Sequence, residues 1–385
     1  MKILADHNIP YVSEAFGTIG DVEIFSTREI PREKLKDCDV LLIRSVSRVD
    51  ASVLEGTPVK MVCTATTGTD HVDLNGLESR GIAFASAPGS NANSVAEYVA
   101  AVLLELARHF FFSLKGKVLG IVGVGRIGSR VRKLAEGVGM EVLLNDPPLA
   151  EITGDALYRP LDELMDADIL TLHVPLTRGG KYPTYHLFGE ARLRRLRPDA
   201  VLLNTSRGPV VDNRALLRLL AERRQMVAAL DVWEGEPAID LELLRRTWLG
   251  TPHIAGHSLD GKVNGTWMIY QAVCERFSLS PRWRPEDSLP EPEVRRLRVV
   301  PEERPAEERL ADVVRKIYDI WRDDGMLRRL ETQPPAARPA FFDRLRSQYP
   351  VRREFTNTEL VFSASDEELA RMARVLGFRV KLEEE

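Results

Sequence analysis

Two α/β domains with parallel sheets, followed by a small α+β module, are the fold class that this sequence predicts. Three observations predict it. Short runs rich in Val and Ile alternate with longer helical patterns, as in strands joined by crossover helices. These runs fall into two series, one on each side of a long apolar helix, which suggests two domains of the same type. After Tyr270 the texture changes to SLSPRWRPEDSLPEPE, a Pro-rich and charged stretch that reads as a linker.

The first series is KILAD, VLLIRS, MVCTAT and IAFASA, each short and apolar enough for a buried parallel strand. The separating helix, SVAEYVAAVLLELARHFFF, is apolar on most faces, so it is expected to be buried between domains or subunits. Asn93 and Ser94 at its start are good N-cap residues. Glu97, Glu105, Arg108 and His109 interrupt it, and it falls short of the roughly 20 apolar residues of a membrane span. The second series is VLGIVGVG, EVLLND, ILTLHVP, AVLLNTS and MVAALDVW. The expected boundaries are 1–94 with 257–286 for a discontinuous substrate domain, 95–256 for a nucleotide domain and 287–385 for the terminal module. A two-lobed plan of this kind predicts closure over a ligand, with hinges near Ser94 and His257.

In the terminal module LRVVPE predicts a strand, and EERLADVVRKIYDIW places Leu310, Val313, Val314, Ile317 and Trp321 on one helical face. ELVFSAS is a second strand, DEELARMARVLGF a helix capped by Asp366 or Ser365, and RVKL a closing strand. The module shows no catalytic cluster. YPVRREF sets Arg352 and Arg353 side by side. Such a pair is usually a solvated surface, and the sharper alternative is a reach toward an anion across a dimer.

Composition excludes several classes of function. With 53 basic against 57 acidic residues the net charge is −4, which gives no reason to expect nucleic acid as a partner. Cys38, Cys63 and Cys274 have unrelated spacings and form no metal or disulfide framework, so a reducing cytoplasm is expected. The opening MKILADHNIP is too short for a signal peptide. Neither a membrane partner nor a metal is expected.

VLGIVGVGRIGSR carries Gly123, Gly125 and Gly128 in the spacing G-x-G-x-x-G, after an apolar strand and opening a helix. Each glycine has its own physical reason. Gly123 permits the tight turn, Gly125 lets backbone approach a pyrophosphate, and Gly128 allows close packing of helix on strand. The helix N-terminus adds unpaired N–H groups and a positive dipole end. Asp146 ends the next strand, where it accepts hydrogen bonds from both ribose hydroxyls and repels a 2′-phosphate. NAD is therefore expected rather than NADP, in a Rossmann-like domain. Two prolines after Asp146 are expected to stiffen the ribose-side loop.

Three further segments fall at C-terminal strand ends, where open α/β sheets bind ligands. They are NTSRG with Arg207, LDVWEGEP with Asp231 and Glu236, and PHIAGHS with His253. Hydride transfer from an alcohol needs a base for the hydroxyl proton, a cation for the substrate carboxylate, and a carboxylate beside the base. His, Arg and Glu supply these, and the planar guanidinium suits a carboxylate best.

The motifs GIVGVGRIG, HVPLT, NTSRG, DVWEGEP and PHIAG stand in the order of the D-isomer-specific 2-hydroxyacid dehydrogenase family, which the chain resembles over roughly residues 1 to 280. The resemblance implies Rossmann-like or flavodoxin-like domains, with Arg207 as substrate-anchoring cation, Glu236 as partner carboxylate and His253 as general acid/base. It implies Asp231 near the nicotinamide, and cofactor contacts at Arg126, Ile127, His173, Val174, Thr205, Ser206 and Gly256 beside the three glycines and Asp146. RSVSRV, TATTGTDHVD, APGSNANSVAEYV and HIAGHSLDGKVNGT, with the terminal module, resemble a branch that oxidises 4-phospho-D-erythronate on the way to pyridoxal 5′-phosphate. Substrate contacts are then expected at Arg44, Ser45, Thr66 and His257. That branch commonly has tyrosine where this chain has His257, and its terminal module pairs subunits. The resemblance accordingly implies a homodimer through that module and the helix near residues 94–110. A dehydrogenase for another D-2-hydroxy acid, such as phosphoglycerate, is the rival enzyme reading, and an NAD-sensing binding protein is the rival from another class.

Overall fold

Strands form where short runs of aliphatic residues occur, and every pairing between the named strands is parallel. The computed structural model describes residues 1–26, 29–45, 47–50 and 52–383; Val46, inside the RSVSRV stretch, lies outside them. Residues 1–91 with 257–291 make one compact unit, and residues 92–256 with 292–385 make another.

The first unit holds β1 (Lys2–Asp6), β2 (Asp21–Phe25), β3 (Val40–Ile43), β4 (Met61–Thr64) and β5 (Ala83–Ser86) in the order β2-β1-β3-β4-β5. β3 and β4 are buried along their whole length. Crossovers cover both faces of such a sheet, so the strands read as unbroken apolar runs. β2, DVEIF, is an edge strand that alternates apolar with acidic residues, so it does not stand out as an apolar run. Helix Leu259–Arg276 belongs to this unit; Val263, Ile269, Tyr270 and Val273 pack with Ile3, Val40 and Met61.

The second unit holds β6 (Val118–Val122), β7 (Glu141–Asn145), β8 (Ile169–Leu172), β9 (Val201–Asn204), β10 (Val227–Leu230) and β11 (Leu249–Gly250), ordered β11-β10-β9-β8-β6-β7. A single parallel bridge, Leu144 to Tyr158, adds an outer position beside β7. Counted with it, the order becomes 3-2-1-4-5-6-7, and the first six follow the dinucleotide-binding pattern. The strand order reverses between β6 and β8, which puts the glycine-rich turn at the ligand-binding end of the sheet.

Residues 292–385 add β12 (Arg296–Arg298), β13 (Glu359–Ser363) and β14 (Arg379–Glu383), a three-stranded sheet with helices against it. Leu310, Val313, Val314, Phe355 and Leu369 share one continuous core with Val95, Leu103 and Leu119 of the nucleotide-type domain. Every residue of helix Ala92–His109 from Ser94 to Ala107 is buried. Its two internal carboxylates find partners in the terminal module: Glu97 accepts from the Phe355 amide at 2.7 Å, and Glu105 from Arg315 Nε and Trp321 Nε1, both at 2.9 Å.

Several local expectations are corrected. The helix begins at Ala92, so Asn93 and Ser94 sit in its first turn. They donate to the Glu354 carboxylate at 2.8 and 2.6 Å instead of capping the helix. The stripe from Leu310 to Trp321 is broken, with one helix ending at Ile317 and another starting at Ile320 under an Asp319 cap. Asp366 makes no side-chain cap bond and receives a two-pronged hydrogen bond from Arg309 at 2.6 and 2.7 Å. Ser363 is the residue that accepts, from the Ser365 amide. The prolines after Asp146 open helix Pro147–Thr153, capped by Asp146 through the Leu149 amide. Proline suits a first helical turn because its missing N–H is one the helix leaves unbonded anyway. Among the described residues no helix is long and apolar enough to cross a membrane.

Candidate active site

The glycine-rich turn is built as its spacing requires. Gly123 has φ of +89°, and a Cβ there would stand 2.8 Å from the His173 backbone. A Cβ on Gly128 would stand 2.0 Å from the Gly123 carbonyl oxygen, while one on Gly125 would meet open space. Gly125 and Arg126 are exposed, and Ile127 is half-buried. Asp146 accepts the Val124 amide at 2.8 Å and the Leu149 amide at 3.1 Å, so the acid that follows β7 also ties down the glycine turn.

Beside this turn lies a cavity of about 760 Å³, lined by Gly123, Gly125, Asp146, His173, Val174 and Thr177 among others. His173 follows β8. Its Nε2 is 3.0 Å from the Thr171 hydroxyl and its Nδ1 3.2 Å from the Thr205 hydroxyl. Removal from water pushes its pKa down to about 3, so the ring is neutral and serves as a wall. A dinucleotide fits the glycine turn, the open Gly125 and the acid facing the cavity. Asp146, Gly123, Gly125 and Gly128 are the residues that would hold it.

The loop after β9 carries Thr205, Ser206 and Arg207. Asn204 organises it: its Oδ1 accepts the Ser206 amide and hydroxyl at 3.0 and 2.7 Å, and its Nδ2 donates to the Arg207 carbonyl at 3.0 Å. Gly208 completes the arrangement, because a Cβ there would lie 2.0 Å from the Trp233 backbone. The absence of a side chain lets the arginine loop rest directly on the loop that follows β10. Arg207 Nη1 donates to the Ser206 carbonyl at 2.8 Å.

That following loop carries Asp231 and Glu236. Glu236 Oε2 lies 2.7 Å from His253 Nδ1, and Oε1 accepts the Trp233 amide at 2.8 Å. Burial pushes the Glu236 carboxyl upward. The facing His253, Arg346 and the Trp233 amide outweigh this and hold it below the usual carboxylate range. Glu236 is thus an anion that orients one ring nitrogen and leaves Nε2 for chemistry.

His253 has φ of +58°, a left-handed conformation uncommon for a side chain of this size, and its amide donates to the Asp231 carbonyl at 2.7 Å. Asp231, only 2% exposed, imposes that turn. Its carboxylate accepts from the Thr251 hydroxyl at 2.6 Å and from the Ile254 and Ala255 amides at 2.7 and 3.0 Å. With the Thr251 proton spent on Asp231, the Tyr98 hydroxyl at 2.8 Å is the donor to Thr251. Gly256, half-buried, ends this loop.

In the other unit three of the substrate candidates, Arg44, Ser45 and Thr66, stand just beyond neighbouring strand ends. Arg44 follows β3, and its Nη1 donates to the Asn8 carbonyl at 2.9 Å, where the strand order reverses between β1 and β3. Ser45 is exposed beside it. Thr66 follows β4; its hydroxyl is 2.7 Å from that of Thr64 and donates to the Gly68 carbonyl at 3.0 Å. His257, half-buried, precedes the Ser258 cap of helix Leu259–Arg276.

Several contributors received no role from the sequence. Asn204 begins NTSRG and Tyr98 lies in APGSNANSVAEYV, but like Thr251 they are residue types that do not name their own job, and Arg346 comes from the terminal module. Arg352 is 5% exposed rather than a solvated surface residue. It is bonded to Glu97 and to two carbonyls of its own unit, which removes it from any reach across a dimer. Among the described residues His186, Asp212 and Glu234 offer ligand atoms within 4.8 Å of one another. There Glu234 is already bonded to His186 and to the Asn213 amide, and Asp212 caps helix Asn213–Glu222.

The chain is similar to known proteins over almost its whole length. Residues 96–255 match the model of the D-isomer specific 2-hydroxyacid dehydrogenase NAD binding domain. Residues 288–377 match a domain of unknown function (DUF3410). The chain is 45% identical over 380 residues, 98% of each chain, to erythronate-4-phosphate dehydrogenases of Salmonella paratyphi B and Salmonella typhimurium. Among solved structures it is similar to D-lactate dehydrogenase from Aquifex aeolicus complexed with NAD and lactic acid. The TM-score is 0.60 at 26% identity, covering 72% of this chain and 95% of that one. NAD-bound 3-phosphoglycerate dehydrogenase of Entamoeba histolytica gives 0.62 at 25% identity, covering 72% and 95%. An α/β fold with a glycine-turn cavity, an imidazole–carboxylate pair and relatives of this closeness place the chain in the D-isomer-specific 2-hydroxyacid dehydrogenase family, among its erythronate-4-phosphate dehydrogenases, as an NAD-dependent oxidoreductase.

Proposed function

We propose that the chain oxidises 4-phospho-D-erythronate at the carbon beside its carboxylate, giving 2-oxo-3-hydroxy-4-phosphobutanoate on the route to pyridoxal 5′-phosphate. The observation that carries the chemistry is the 2.7 Å pair of Glu236 and His253 on a turn that holds His253 in a left-handed conformation. The substrate is supported by the names of relatives identical over almost the whole chain at 45%.

The chemistry NAD supplies when bound is acceptance of a hydride. His253 Nε2 takes the hydroxyl proton, and the Glu236 anion stabilises the imidazolium that results. Arg207 grips the carboxylate and polarises the forming carbonyl. Arg44, Ser45, Thr66 and His257 hold the remaining anionic and hydroxyl oxygens. In this reading 1–94 with 257–286 bind substrate, 95–256 bind NAD through the glycine turn, Asp146, His173, Thr205 and Ser206, and 287–385 pair subunits. Phe111, 91% exposed just beyond helix Ala92–His109, supports a homodimer that uses that end. Three buried cysteine thiols suit the cytoplasm.

Steady-state oxidation of 4-phospho-D-erythronate and 3-phospho-D-glycerate, side by side with NAD, tests the proposal. The expected outcome is a kcat/KM at least about a hundredfold higher for the four-carbon acid, a preference of the size that unpaired polar groups in a pocket impose. A preference for phosphoglycerate would assign the chain to the rival dehydrogenase. Tight NAD binding with no turnover of either acid would favour the sensor.

A further inference from the structure

Arg352 comes from the terminal module, more than ninety residues beyond the dehydrogenase motifs, yet it is buried beside the loop that bears His253. Its Nη2 donates to the Ala255 carbonyl at 3.2 Å and to the Ser94 carbonyl at 3.4 Å. Nη1 reaches Glu97 Oε2 at 3.3 Å, and the guanidinium lies over the Tyr318 ring at 4.3 Å. Ala255 is thereby held from both sides, with its N–H on Asp231 and its C=O on Arg352. His253 is two residues away, in a turn whose backbone is uncommon for a non-glycine residue.

Stability alone is a poor reason to keep such a group. A buried ion pair costs so much desolvation that an apolar replacement of equal volume is often as stable. What a guanidinium adds is geometry: a planar fork, permanently charged, able to bind a carboxylate and two carbonyls at once. The contacts here use that fork to join the first turn of helix Ala92–His109, the end of the His253 loop and the terminal module.

We infer that Arg352 is a positioning residue for catalysis: through the Ala255 carbonyl it fixes the turn that aims the His253 imidazole. The terminal module then contributes to proton transfer within its own chain. This rests on His253 being the acid/base of the proposed function.

The test compares Arg352→Ala, Arg352→Lys and Arg309→Ala with the unaltered enzyme. Arg309→Ala breaks the buried pair with Asp366 elsewhere in the same module and leaves the His253 loop alone. For Arg352→Ala, kcat is expected to fall by about ten- to a hundredfold, the usual effect of a misplaced catalytic group. KM and the Kd for NADH should stay within about threefold. Arg352→Lys, which keeps the charge but cannot span all three partners, should fall between, and Arg309→Ala should keep kcat. In ¹⁵N-histidine spectra the His253 imidazole should shift in both Arg352 variants and not in Arg309→Ala.

Unchanged kcat in a folded Arg352→Ala enzyme would overturn the inference. So would an equal loss in Arg309→Ala, or a loss that only follows the unfolded fraction. Should Arg352→Ala not fold, Arg352→Lys gives the reading, and wild-type kcat with an unshifted His253 signal refutes the idea. A wild-type chain unable to oxidise the acid would fail the proposed function instead, and the imidazole spectra would still decide the role of Arg352.

Discussion

Glu236 shows how one buried carboxylate ties stability to pH. Its carboxyl sits below the ordinary range, so its contribution to stability is present above the unfolded value near 4.5 and is lost as pH falls through the lowered one. Glu236→Gln removes the anion that favours a charged imidazole. Its kcat for alcohol oxidation is expected to drop by about ten- to a hundredfold, read by steady-state kinetics. An unchanged kcat would mean that Glu236 does not support the proposed proton transfer. Gly128 makes a second case. A methyl group 2.0 Å from the Gly123 carbonyl cannot be accommodated without moving the turn. Gly128→Ala should weaken NADH by about tenfold or more while the protein stays folded, read by fluorescence titration. Both positions were legible in sequence because each belongs to a short contiguous motif. Asn204 also begins a motif, but its role was not legible, since its work is to bond residues of its own loop once the strand end exists.

At the scale of elements, the strands with both faces covered announced themselves, while β2 and β11 did not. One is half acidic at a sheet edge, and the other is two residues long. Helix Ala92–His109 was visible as an apolar run, but its buried carboxylates made sense only once Arg352 and Arg315 lay against it. Helix Ile320–Arg328 carries a comparable case in Asp323, which is 0% exposed. Burial pushes its pKa up to about 6, against the Tyr349 hydroxyl at 2.6 Å and two nearby arginines. A raised carboxyl leaves stability intact below the unfolded value near 3.8 and subtracts from it as pH rises through 6. Asp323→Asn should match the wild type near pH 4 and exceed it above pH 6, by up to about 3 kcal/mol if the amide keeps the Tyr349 bond. Urea unfolding at the two pH values measures the difference, and a constant gap would show that Asp323 is not titrating there.

The whole molecule divides by packing in a way that the linker composition concealed. A Pro-rich, charged stretch suggests a tethered module, yet residues 292–385 share a continuous core with residues 92–256. A chain ending at residue 291 should therefore lose far more than a dimer contact, because it exposes Val95, Leu103 and their neighbours. Its thermal unfolding should lose cooperativity and its cofactor affinity should fall. A truncated chain with the midpoint and NADH affinity of the full protein would show the module to be separable. The sequence by itself determined the two parallel α/β domains and the dinucleotide turn, because those depend on local periodicity and on contiguous motifs, and it singled out Arg207, Glu236 and His253 as candidates. Only the tertiary structure decided that Arg352 is a buried brace, that Asp231 shapes the His253 turn, and that the terminal module is built into the core of the nucleotide-type domain. Those outcomes depend on which distant groups satisfy a buried charge or carbonyl, and spacing along the chain does not encode that choice.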